Sequence, residues 1–216
     1  MKCAFIGGIV VFLWGVVSWM ILPWHQMTMH KFSDEKSVAI TIQDNAYTSG
    51  VYVLPNLFKH HKEMRTGMHH HKDAWKQEQD ASQVMRKGHM DGESSKDHMH
   101  MEMMKQKEMM RQGPFVYAFV KKEGMEPNSA APFIAGVIIQ IIAAYIITCL
   151  LMMSKAMSYM KQVGFVTIIG LFAGIVALLP DWVWMGMSLD FLIVNMLDLV
   201  IGWFLGGLVI AKVLKK

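Results

Sequence analysis

Histidine and methionine are the residues of this chain whose type and spacing suggest chemistry. All ten histidines fall between His25 and His100, and methionine supplies 22 of the 216 residues. They gather into His60-His61, His69-His70-His71, and His98-Met99-His100-Met101, followed closely by Met103 and Met104. Thioether sulfur is a soft ligand that suits Cu(I), whereas imidazole suits Cu(II), Zn(II) and Ni(II). Histidine-rich tracts are also a compositional pointer to metal binding. The chemistry to expect is capture of copper, or a related soft ion, by a chain that wraps around it. A plainer reading competes with it. No spacing here fixes a coordination number, and methionine is spread through the chain. Histidines interleaved with Lys and Glu also make an ordinary solvated face. His25 and His30 stand apart from these runs and are expected at the membrane–water interface.

A second group of polar residues lies where water should be scarce. Asp198 sits in the apolar run that begins at Leu189; nine residues at 1.5 Å each carry it about 13.5 Å along a helix, close to a bilayer centre. A carboxylate there must face protein rather than lipid. Asn195, Asp198, Gly202 and Gly206 are spaced 3, 4 and 4 and so share one helix face. Gln140, in another apolar run, is the expected partner of Asn195 and Asp198, with Tyr145 and Thr148 as further members. Two roles are open for Asp198: a proton- or ion-coupling group, or a structural acid that fixes helix packing. No basic partner within a span is visible in the sequence.

No catalytic motif accompanies these residues. The sequence contains no HExxH, GxSxG, phosphate-binding glycine loop or CxxCH. Cys3 and Cys149 are isolated and fall in or beside apolar runs, which excludes a disulfide framework or a zinc knuckle built from this chain. The formal charge is a mild +4 and the basic residues form no patch interleaved with aromatics, so nucleic acid is not an expected partner.

Elements must position these residues, and the composition says which kind. Hydrophobic residues make up 53% of the chain, charged residues only 18%, and mean hydropathy is +0.29. A soluble domain carries about 25% charged residues. The apolar residues are segregated into four blocks, 4–22, 132–153, 163–182 and 189–213, each long enough to cross a bilayer. The first is longer than the apolar core of a signal peptide and ends in Leu22-Pro23-Trp24 without a small-residue cleavage site, so it is expected to be a retained anchor. Lys2, Lys155, Lys161, Lys212, Lys215 and Lys216 flank the blocks, while the link 180–188 has no Lys or Arg. That asymmetry predicts a cytoplasmic (inner) membrane protein with both termini inside and residues 23–131 outside. Trp19, Trp24, Trp182 and Trp184 would then form an outer aromatic belt. Gly170/Gly174 and Gly202/Gly206 are GxxxG pairs that permit close helix approach.

The outer region, 23–131, predicts a short helix over 33–44 capped by Ser33, and strands over 51–54 and 115–121. Between the strands, 56–114 is a long polar Met/His-rich insertion. It has too little apolar material for a core of its own, but it is compatible with solvated helices over 72–87 and 96–111, separated by a break at 88–95. The expected fold class is therefore an all-α membrane protein. It is a four-transmembrane-helix bundle with a small α/β extracytoplasmic region containing that insertion. The expected role is a non-enzymatic accessory or interaction protein in the lipid bilayer, as a homo-oligomer or a subunit of a membrane complex; copper handling is the alternative.

Overall fold

The computed structural model describes residues 1–56, 91–154 and 157–215, with the backbone alone at 91–99, 102 and 106. The chain is mostly helical, with four helices long and apolar enough to cross a membrane and one two-stranded sheet. Two compact units divide it: 1–47 with 122–216, and 48–121.

The first unit holds the spans. Helix α1 (Lys2–Val16) continues into a π-helical segment, Val17–Ile21, and together they make the first span. A one-turn helix α2 (Trp24–Met27) and helix α3 (Glu35–Asn45) follow. The cap of α3 is Asp34 rather than Ser33: its carboxylate accepts the Ser37 amide at 3.0 Å and the Ser37 hydroxyl at 2.6 Å. A cap side chain reaches the amide three residues on, and from Asp34 that residue is Ser37, whose hydroxyl adds the second bond and decides the start. Those two bonds also hold the Asp34 carboxyl below its usual pKa.

The remaining spans come after the second unit in sequence. Helix α5 (Ala131–Met153) starts with Pro132 in its first turn, where a missing N–H leaves no gap. Helix α6 (Tyr159–Trp184) runs through Pro180 and ends when Gly186, at φ 75°, lets the Met187 amide reach back to the Asp181 carbonyl. Helix α7 (Leu189–Leu214) begins after Ser188, and the Asp190 carboxylate accepts the Phe191 amide at 2.9 Å.

These four helices form a row. α1 and α7 pack on each other in the middle; α5 packs on α1 and α6 on α7. Val11, Ala144, Ile147, Val166, Trp203 and Ile210 make the shared core. Glycine allows the approach. A methyl at Gly8 would lie 2.6 Å from the Ile141 Cα, at Gly170 2.7 Å from the Trp203 Cβ, and at Gly206 2.6 Å from a Val11 methyl. Adjacent Gly207 faces the other neighbour, with a methyl there 3.1 Å from the Val166 Cβ. Without a hydrophobic drive between helices in lipid, such close backbone packing is what holds spans together.

The second unit contains β1 (Gly50–Leu54), helix α4 (Asp91–Gln112) and β2 (Val116–Val120). The strands pair antiparallel, from Gly50 opposite Val120 to Leu54 opposite Val116. Tyr117 and Phe119 project from one face and meet edge to face at 5.5 Å. The Tyr52 hydroxyl donates to the Thr48 carbonyl at 2.6 Å and ties down the approach to β1. Asp91 to Ser95 are already helical within α4, so the break expected over 88–95 does not extend through Gly92 and Ser95; residues 88–90 and the helix expected over 72–87 lie outside the described residues.

Candidate functional site

The first span does not end as a plain α-helix. Its last turn is π-helical, Leu22 is extended, and Pro23 stands at the cap position before α2. Such wide turns recur at functional sites because they rotate side chains out of regular register. Here the turn and Pro23 bring His25 back against Ser18, seven residues earlier. Both side chains are fully buried, at 0% exposure. Ser18 Oγ and His25 Nε2 lie 3.0 Å apart. The Trp24 indole N–H donates to both the Ser18 hydroxyl, at 3.0 Å, and the Ser18 carbonyl, at 3.1 Å.

Asp198 of α7 completes the group. Its Oδ2 is 3.7 Å from His25 Nε2, and its backbone carbonyl accepts the Trp14 indole N–H at 3.1 Å. Trp19 stacks on the imidazole at 3.8 Å and 13° between planes, and Trp24 meets it edge-on at 5.7 Å. An acid and an imidazole thus meet inside a wall of three indoles. Burial pulls the His25 pKa below its usual value, and the Asp198 carboxylate opposes that pull. His25 Nδ1 and Asp198 Oδ1 are both buried without a hydrogen-bond partner.

Serine, histidine and aspartate together invite comparison with a hydrolytic triad, and the geometry argues against it. A triad needs the hydroxyl and the carboxylate on different ring nitrogens, so that the ring accepts a proton on one edge while the acid orients the other. Here both approach Nε2, and Ser18 is fully enclosed. The arrangement suits holding a proton or a helix contact rather than attacking a substrate.

His25 is therefore enclosed by protein rather than exposed, and it is the basic partner of Asp198 that the spans themselves do not supply. Two of the expected belt tryptophans, Trp19 and Trp24, build its cage. The sequence signal was faint: a Pro-Trp-His step just beyond a span that carries a lone serine near its end.

Gln140 does not join Asp198. It packs on α1 at the level of Gly8, whereas Asp198 meets α1 at Trp14, and six residues along a helix is about 9 Å of depth. Asn195 turns back to donate to the Phe191 carbonyl at 2.7 Å. Thr148 is buried but donates to the Ala144 carbonyl of its own helix at 2.7 Å.

Of the histidine and methionine runs, His60, His61, His69, His70 and His71 lie outside the described residues. His98 and Met99 lie on α4, and His100, Met101, Met103 and Met104 are exposed on it. Among the described residues, no group of three or more His, Cys, Asp or Glu is gathered to hold a metal ion. Comparison with known proteins gives no matching family model, no matching characterised protein and no matching solved structure.

Proposed function

We propose that this chain is a non-enzymatic accessory or interaction protein of a membrane, a subunit that assembles through the face shared by α1 and α5. One observation carries the reading. Between α1 and α5 runs an open apolar groove of about 770 Å³, lined by Ala4, Phe5, Ile6, Ile141, Ile142 and Tyr145 among others. Tyr145 is 50% exposed, and its hydroxyl has no hydrogen-bond partner among the described residues. It lies 14 residues beyond Ala131, about 21 Å along the apolar helix α5, and it shares the groove with Met1 and Lys2 at the start of α1. A hydroxyl left in hydrocarbon is costly. Lipid chains fill an apolar groove but their hydrocarbon offers no acceptor. A partner helix offers both a ridge and an acceptor, and the partner includes a second copy of this chain. The same reading puts the protein in a cytoplasmic (inner) membrane with both termini inside, supported by the lysines flanking the spans and their absence from the link 180–188.

The test is a benzophenone amino acid placed at Tyr145 and, as control, at Ile168 of α6, which is 65% exposed. Irradiation in native membranes should yield a discrete protein adduct from position 145 and none from 168. Lipid adducts alone at both positions would defeat the assembly reading.

A second reading rests on α4. His100 and Met104 are four residues apart and both exposed, so an imidazole and a thioether lie on one side of the helix, as a soft-ion capture segment requires. A Cu(I) competition titration decides it. Tight, stoichiometric, Cu(I)-selective binding that vanishes on deletion of 59–112 supports copper handling; weak or unselective binding dismisses it.

A further inference from the structure

The buried pair at the end of the first span is not needed for docking through the α1–α5 groove, and it is poorly designed as a mere strut. A structural hydrogen-bond network satisfies its members. This one leaves His25 Nδ1 and Asp198 Oδ1 buried and unpartnered. It also sets two titratable groups 3.7 Å apart in an indole-lined enclosure. Unsatisfied, mutually facing acid and base, with the imidazole fully buried and the carboxylate 17% exposed, are an arrangement for holding an exchangeable proton.

We infer that His25, Asp198 and Ser18 form a proton-binding site, in which uptake and release of a proton set how α2 is held on α7. The charge on the pair determines the hold. With one proton shared, the pair is neutral overall as either an ion pair or two uncharged groups, and both forms keep His25 against Asp198. Loss of that proton leaves a lone carboxylate beside Trp14 and Trp24. Gain of a second leaves an imidazolium without a counter-charge. Either change weakens the hold of α2, which rests on the π segment and α7.

The neighbouring elements leave this charge state to the pair itself. The π segment contributes Ser18 and Trp19, both uncharged. Helix α1 contributes Trp14, also uncharged. Helix α2 carries no other ionisable residue. On α7, Asp190 lies eight residues from Asp198 and interacts electrostatically with His30, and Lys212 sits in the last turn. Among the described residues, Asp198 alone places an acid within 4 Å of His25.

Trp19 supplies the readout. An imidazole stacked on an indole at 3.8 Å changes the indole's emission when it becomes cationic, because the charge then sits on the ring face. Full-length protein in nanodiscs is titrated from about pH 8 to about pH 4.5, a range that brackets the ordinary histidine pKa. Tryptophan fluorescence is recorded for wild type, Trp19→Phe, Asp198→Asn and His25→Gln. The difference between wild type and Trp19→Phe isolates the reporter. The expected result is a one-proton transition in that difference, absent in His25→Gln. In Asp198→Asn the midpoint moves about one pH unit or more lower, because the carboxylate that favours the charged ring is gone. A difference signal flat across the range overturns the inference, and this needs no variant of the pair to fold. So does a transition that Asp198→Asn leaves in place.

Discussion

Replacing Gly8 with alanine tests the packing that holds α5 in the row. The added methyl would stand 2.6 Å from the Ile141 Cα, 2.8 Å from its amide nitrogen and 2.9 Å from the Gln140 carbonyl carbon. All three are backbone atoms, so no rotamer change relieves the clash. Carbon atoms rest at about 3.5 Å or more, so α1 and α5 must part by about 0.9 Å at the crossing. A gap of that size forfeits roughly a quarter to a half of the dispersion energy at each affected contact. With the strain of overpacking, the cost should be about 1–3 kcal/mol. Gly15→Ala is the matched control. It lies on the same helix, meets nothing within 4 Å, and should be neutral or stabilising by up to about 1 kcal/mol through the stiffer backbone. The two variants should therefore differ by about 2 kcal/mol, a factor of roughly 30 in the unfolding equilibrium. Reversible denaturation in mixed micelles, followed by circular dichroism, measures this difference. Equal stability of the two variants would refute the claim that α5 is held by backbone contact at Gly8.

Two further outcomes follow from named contacts. Trp203 is only 7% exposed and covers Gly170, so Trp203→Ala should destabilise the α6–α7 pair by about 3 kcal/mol, seen in the same denaturation assay; a loss below about 1 kcal/mol would show that the two helices close over the gap. Asp34→Ala should speed hydrogen exchange at the Ser37 amide after correction for intrinsic rate. Because the Asp34 pKa is lowered in the fold, its contribution is present above the ordinary carboxylate pKa of about 3.9 and fades as pH falls through the folded value, so wild-type exchange there should rise toward the variant's only in strong acid.

The spans were legible because each is a continuous apolar run, and lipid leaves the backbone no alternative to helix. Their limits were less legible. Hydropathy stops at Val163, but α6 starts at Tyr159, since Lys161 and Gln162 are polar without being poor helix formers. At the other end, α6 passes Pro180 and stops four residues later at Trp184, because a proline near a helix end removes one bond without forcing a stop. Asp198 could be picked out as an acid deep in an apolar run. Its partner could not. His25 reaches it through a π turn and a reversal at Pro23, and no local periodicity marks a contact between residues 173 positions apart. Depth misdirected the choice toward Gln140: both were counted from helix ends, and a difference of about two turns is invisible until the helices are crossed.

Gly206 and Gly207 are consecutive, yet they serve different neighbours, Val11 of α1 and Val166 of α6. Successive residues on a helix point about 100° apart, so the two notches fix the angle of α7 about its own axis as two keyways fix a shaft. α7 cannot turn to suit one neighbour without misfitting the other. Asp198 rides on that same shaft, about two turns from Gly206. The orientation in which it meets His25 is therefore set jointly by helices that stand on opposite sides of α7, and a twist imposed at either flank is delivered to the buried acid as a change of aim.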